Sequence, residues 1–243
     1  MNKYNKYLNE LTRIPRPYFV YPINVARNIA RMGKRTKLFL STDIENFPSN
    51  NYEKKVSMIG REILLKEKKK VVLVHRRFEV EKGIAIPKTK DELKKLLLLN
   101  KAEIFHEKIF KKGHFIEGLD EWLKVPENNN STIKLLQLNY TNPYWEPQFV
   151  CDDRIPYHRE NFPYRYRSNT HLLHIICHEE YKFIILNDVF TVHEGFKEKL
   201  STNELMIYNN VMKTTKETIN QFNFELQNKY PNMRNVCRRL DKM

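Results

Sequence analysis

Lys37-Leu38-Phe39-Leu40-Ser41-Thr42-Asp43-Ile44-Glu45-Asn46-Phe47-Pro48-Ser49 is the stretch on which the reading of the chain turns. Residues 38–40 form an apolar run long enough for a buried strand. Two carboxylates spaced i, i+2 follow, before Pro48 ends regular structure. Acid at a strand's exit has a specific meaning in an open α/β sheet, where ligands sit in the crevice outside the carboxyl ends of the strands. Oxygen donors there suit Mg²⁺ or Mn²⁺ carrying phosphates. Taken alone, the stretch is more often a plain solvated acidic turn, because acidic turn residues are very common.

Working outward, a helical pattern precedes this stretch: Ile23, Ala26, Ile29, Ala30 and Met32 recur near helical spacing, with Arg27, Arg31 and Arg35 four apart on another face, and Gly33 ends it. After it, a helix over residues 53–66 leads into Val71-Val72-Leu73-Val74, a buried strand bounded by charge. Thr89 with Glu92 makes a capping box ahead of Leu93, Leu96 and Leu97, and Ser201 with Glu204 makes a second ahead of one long amphipathic C-terminal helix that stops at Pro231. Between them lie a loop over residues 126–131, strands over residues 133–138, 149–151, 182–186 and 189–192, and a helix over Leu172, Leu173, Ile175 and Ile176 that Ser168 is placed to cap. Strands alternating with helices over the first 100 residues argue for α/β, and no internal repeat is visible.

The chain has 243 residues, and its 41% hydrophobic content is enough for a real core of one domain. Its 43 basic residues against 29 acidic give a net charge of +14, which favours anionic partners. The Lys and Arg residues are scattered and no nucleic-acid signature accompanies them, so nucleic acid is not the expected partner. Cys151, Cys177 and Cys237 allow at most one bridge within a monomer and no Cys-based zinc site. Sequons at Asn129, Asn130 and Asn139 permit passage through the secretory pathway, although no signal peptide and no apolar stretch of membrane-spanning length is visible.

Two histidine patterns carry chemistry. His171, His174 and His178 fall on one helix face without the spacing of a zinc protease, and read as partly buried polar groups. His193 follows two apolar strands, as Asp43 follows one. With Asp43 and Glu45 it completes a mixed oxygen and nitrogen set suited to Mn²⁺. Six glycines in all leave no Gly-rich phosphate loop.

Tyr21-Pro22-Ile23-Asn24-Val25-Ala26-Arg27-Asn28-Ile29-Ala30-Arg31, followed by Asp43-Ile44-Glu45-Asn46-Phe47-Pro48-Ser49, resembles the start of the conserved block of glycosyltransferase family forty-nine. That family holds the LARGE glucuronyltransferase domain and the β-1,4-glucuronyltransferase of protein O-mannosylation. Phe78-Glu79, Pro87, Lys90, Phe105-His106, Gly113-His114, Trp122, Trp145-Glu146-Pro147, Pro156-Tyr157 and residues 181–193 continue the resemblance in order. It implies a Rossmann-like, GT-A type fold with a mixed central sheet and a C-terminal helix. The implied reaction is inverting transfer of glucuronic acid from UDP-glucuronate to a glycan hydroxyl in the Golgi lumen. Mn²⁺ on Asp43, Glu45 and His193 would bridge the donor diphosphate, Arg27 would assist, and Glu160 would take the acceptor proton. The implied organisation is a lead-in over residues 1–20, a partial transferase domain over 21–196 and a helix with a basic tail over 197–243.

The chain departs from the family pattern in three places. Glu45 stands where the family has Asp; the bulky segment 162–167 stands where it has a Gly-aromatic-Gly acceptor loop; and the family's opening strands and membrane anchor lie upstream of the match, so the chain is expected to be an N-terminally partial member. These departures define the alternative expectation, a catalytically inactive glycosyltransferase-like protein that binds glycans.

Overall fold

A computed structural model describes residues 21–127 and 135–240. The lead-in over residues 1–20, two of the three sequons and the start of the strand expected over 133–138 lie outside the described residues. The order of elements begins with helix α1 (Ile23–Met32), strand β1 (Leu38–Ser41), a short β2 (Asn46–Pro48) and helix α2 (Tyr52–Gly60), which runs on as a π-helical turn to Lys66. Strand β3 (Val71–Val80) follows, then α3 (Lys90–Leu98), β4 (Ala102–Ile104), α4 (Glu107–His114) and α5 (Leu119–Lys124). The second half comprises β5 (Leu135–Leu138), β6 (Phe149–Asp152), α6 (Thr170–His178), β7 (Lys182–Glu194), α7 (Thr202–Thr214) and α8 (Lys216–Lys229).

Strands β3 and β7 run parallel at the centre of a seven-stranded mixed sheet in the order β1-β6-β3-β7-β2. Each long strand serves two antiparallel partners. β3 pairs β6 through Leu73 and Val74 and β4 through residues 78–80, while β7 pairs β5 near its start and β2 near its end. A register shift in the β3–β7 ladder between Val74 and Arg76 separates these two halves. Along β3 alternate residues feed opposite faces, so a fully buried strand reads as a continuous apolar run. Val72 and Val74 pack with α6 through Leu172, Leu173 and Ile176. Val71 and Leu73 pack with Tyr52 and Val56 of α2 and with Leu64 of its π-helical extension. This is the expected α/β architecture with a mixed sheet and helices at the C-terminus.

Four boundaries differ from the sequence reading. β3 does not stop at Val74 but continues through His75, Arg76, Arg77 and Glu79, all buried. The two strands expected over 182–192 are one, β7. The long C-terminal helix is two, meeting at Thr215, whose Oγ1 donates to the Val211 carbonyl at 2.6 Å. β1 is an edge strand, half-buried rather than buried, because it pairs only with β6.

Both capping boxes form. Thr89 accepts from the Glu92 amide while Glu92 accepts from the Thr89 amide. Replacing Thr89 by Ala should cost about 1 kcal/mol, read as a drop of a few degrees in melting temperature.

Helix α1 docks by its polar face. Asn24 and Asn28 are buried while Ile29 and Met32 are exposed, the reverse of an apolar stripe seeking a core. The segment beneath offers backbone carbonyls, and these need donors. Asn24 Nδ2 donates to Phe162 O at 2.9 Å, Asn28 Nδ2 to His158 O at 2.9 Å, and the Arg31 guanidinium to Ile155 O and Pro156 O, both at 2.7 Å.

Candidate functional site

Asp43 lies in the turn after β1, as expected, and its carboxylate points to a wall built by β3 and β6. Arg77 Nη2 donates to Asp43 Oδ2 at 2.9 Å. Gln148 Nε2, just before β6, donates to the same oxygen at 3.0 Å, and Thr42 Oγ1 donates to Gln148 Oε1 at 2.8 Å. Arg77 enters from the extension of β3 that follows Val74. Its guanidinium lies 3.7 Å from the centre of the Phe105 ring, and its side chain is 6% exposed against 50% for Asp43.

Histidines surround this ion pair. His106 stacks on Phe105 at 3.8 Å and His114 meets the edge of the same ring at 4.9 Å. Burial, reinforced by the positive charge of Arg77, holds His75 and His106 down at about 3 and His114 well below its ordinary value. All three are therefore neutral at pH 7. Consequently the approaches of His106 Nε2 to Glu79 Oε1, 3.7 Å, and of His114 Nε2 to Glu146 Oε1, 3.9 Å, are contacts of neutral rings with carboxyl groups rather than ion pairs.

Glu146 is the second carboxyl group within electrostatic reach of Asp43. Burial raises it to about 7, against the lowering influence of Arg77 and Arg27, while Asp43 pushes it further up. Its protonation thus straddles neutral pH, which is the condition for an effective acid or base. Arg27 reaches the same region from α1. It is held by the Ser168 carbonyl at 2.8 Å and Asn24 Oδ1 at 3.1 Å, and feels both Asp43 and Glu146.

The remaining expected residues lie as follows. His193, near the end of β7, is opposite Glu79 on β3 and Asn46 on β2, and its ring lies 5.7 Å from Phe105. Glu45 is exposed beside Ile44, which is 97% exposed. Glu160 is held at α1 by Asn28 Nδ2 at 3.0 Å. Asp43, Arg27 and His193 therefore share one neighbourhood. Asp43, Glu45 and His193 do not form a ligand set: among the described residues no three His, Cys, Asp or Glu side chains are grouped to hold a metal ion. The donor chemistry suits Mn²⁺, but as arranged the residues do not fit it, because Arg77 and Gln148 already take Asp43 Oδ2.

The His171, His174 and His178 set is structural, as the sequence suggested. His171 Nδ1 bonds the Arg167 carbonyl, His174 Nδ1 the Arg238 carbonyl and His178 Nδ1 the His174 carbonyl.

Sequence reasoning missed Arg77, Glu146 and Gln148. The available signal was period-two alternation: His75, Arg77 and Glu79 continue one face of β3 while Phe78 and Val80 continue the other.

A family model described as "Glycosyl-transferase for dystroglycan" matches residues 4–231. Among curated proteins, the chain is 29% identical over 225 residues to beta-1,4-glucuronyltransferase 1 of Homo sapiens, covering 89% of this chain and 50% of that protein. It is 22% identical over 221 residues to xylosyl- and glucuronyltransferase LARGE2s of Gallus gallus, covering 86% and 27% respectively. Against xylosyl- and glucuronyltransferase LARGE1 of Homo sapiens the identity is 23% over 181 residues, covering 71% and 22%. The chain thus spans about half the length, or less, of these relatives.

Proposed function

The chain belongs to the family described as glycosyl-transferase for dystroglycan, and from that premise we propose that it binds UDP-glucuronate and transfers glucuronic acid, with inversion, to a hydroxyl of a glycan. The observation that carries this reading is the polar cluster at the exit of β1. There Arg77 and Arg27 both lie within electrostatic reach of Asp43 and of Glu146, whose carboxyl group is raised to about 7, beside a row of neutral histidines.

Each part has a task in such a reaction. Arg77 and Arg27 supply positive charge where a diphosphate leaving group accumulates negative charge. Phe105, under Arg77 and His106, gives an apolar floor that keeps the guanidinium in place. Inversion needs a base on the face opposite the leaving group. Glu160 was the expected base; Glu146 is better tuned, since it gains and loses a proton near neutral pH and lies near Asp43. Because Asp43 is engaged by Arg77, no step here runs through Mn²⁺. A luminal, oxidising location is part of the proposal, and the Cys177–Cys237 bridge supports it.

The test is release of UDP from UDP-glucuronate across a panel of sugar glycosides, with Glu146→Gln and Glu160→Gln in parallel. Removing the general base should lower turnover about 10²- to 10⁴-fold, and the expected loss is in Glu146→Gln. Loss confined to Glu160→Gln would return the base to that residue. The second reading is a glycan-binding protein without turnover. UDP-glucuronate binding with no transfer to any glycoside would end the transfer reading, and no binding of UDP or UDP-glucuronate would end the donor reading and leave the glycan-binding one standing.

A further inference from the structure

The pair Arg77–Asp43 is arranged unequally. The cation is at depth, 6% exposed and fixed against Phe105, whereas the carboxylate is at the mouth, half exposed in a turn. Among the described residues a hydrogen bond to Asp43 accounts for one of the five guanidinium N–H donors, and Arg77 Nε is buried with no partner. Arg77 sets up a positive potential that its three neighbouring histidines feel, and Arg27 adds a second cation close by.

A divalent ion approaching Asp43 would meet a like charge that cannot retreat, because Phe105 and the β3 backbone hold it. A phosphate meets the opposite situation. It can take the place of the Asp43 carboxylate on Arg77, offer a second oxygen to Nε in the planar fork that guanidinium provides, and release Asp43 toward solvent.

We propose that Arg77 takes the electrostatic place of a divalent cation, so that this site binds a nucleoside diphosphate without metal and Asp43 acts as the stand-in that the diphosphate displaces. This rests on the donor reading above. It also inverts the expected role of Asp43, from a residue that recruits the donor to one that competes with it.

The experiment is calorimetric titration of the full chain with UDP, in chelator and in Mn²⁺, for the unmodified protein, Asp43→Asn, Arg77→Met and Arg77→Lys. Thermal melts identify any variant that fails to fold. In chelator, Asp43→Asn should bind UDP at least as tightly as the unmodified protein. Arg77→Met, similar in volume but uncharged, should bind about tenfold more weakly, with Arg77→Lys retaining part of the affinity. UDP binding that requires Mn²⁺ and disappears in Asp43→Asn would overturn the proposal while leaving the donor reading intact. If no protein binds UDP under any condition, the donor reading and this proposal fall together. A saturable Mn²⁺ site, seen by electron paramagnetic resonance and lost in Asp43→Asn, would overturn the role of Arg77 by itself.

Discussion

Acidification from about pH 6.5 to about pH 5 should unfold the protein, because that is the interval in which unfolded histidines gain protons that the folded ones refuse. Burial holds His75, His106, His171 and His174 at about 3 and His158 at about 2. A group whose folded value is depressed below its unfolded value stabilises the fold above the unfolded value, and that contribution drains away as pH falls. At about pH 5 each such histidine costs about 2 kcal/mol, so five cost roughly 10 kcal/mol.

Glu146 works in the opposite sense. Its folded value is raised from 4.5 to about 7, so it contributes stability below 4.5 that is lost as pH rises through about 7. At about pH 5 it returns roughly 3 kcal/mol, no more than one or two histidines take away. The balance, roughly 7 kcal/mol against the fold, is comparable with the whole stability of an ordinary domain, about 5–15 kcal/mol. Near-ultraviolet circular dichroism during a pH titration, with potentiometric counting of protons taken up, measures this directly. Cooperative loss of signal in that interval with uptake of several protons is the expected result. A native spectrum persisting at about pH 4.5 would show that the buried imidazoles accept protons in place.

The same histidines show what the sequence could and could not disclose. Alternation of apolar and polar residues is a local property, and it places most helices, both capping boxes and the core half of each long strand. The charged half of β3 was lost because His75-Arg76-Arg77 resembles the end of a strand when charge is assumed to mean solvent. Each of these groups is buried with a partner far away in sequence. Arg77 meets Asp43 across 34 residues, and Gln148 meets it across 105. No window on the chain contains such pairs. α1 misleads for a related reason, since its asparagines and arginines face inward to satisfy a loop's carbonyls.

The positions of Asp43 and His193 at strand ends were legible because strand exits are places a sequence reveals; in the structure Asp43 pairs with Arg77, which lies over Phe105, and His193 meets the edge of the same ring. The expected metal set was not legible as an arrangement, because a ligand list carries no distances. Segment 162–167 gives a different lesson. Arg165 and Arg167 adopt φ of +70° and +56°, the left-handed region that favours glycine, flanking Tyr166. Arg165 and Arg167 thus stand at backbone positions that glycine would occupy at no steric cost. The arginines are held there by contacts that glycine lacks, Arg165 to Glu204 at 2.9 Å and Arg167 to the Pro143 carbonyl at 3.1 Å.

Reduction of the Cys177–Cys237 bridge should lower the melting temperature by about 10 °C, from a loss of about 4 kcal/mol for a closed loop of this length. The two cysteines are 60 residues apart, so the bridge restricts a large part of the unfolded chain. It also fastens the tail to the core. Leu240 is fully buried among side chains of α7 and α8, Asn223 clamps its amide and carbonyl at 2.8 Å and 3.2 Å, and His174 bonds the carbonyl of Arg238. Those contacts survive reduction in the folded state, so the protein should remain native at room temperature and the effect should appear in the melt. Calorimetry with and without a phosphine reductant, and on Cys237→Ser, measures it. Cys151 provides the internal control: it is buried, its thiol is pushed up to about 12, and it should react with a thiol reagent only after denaturation. Two thiols titrating in the reduced native protein with an unchanged melt would mean that the tail is held by Leu240 and Asn223 alone.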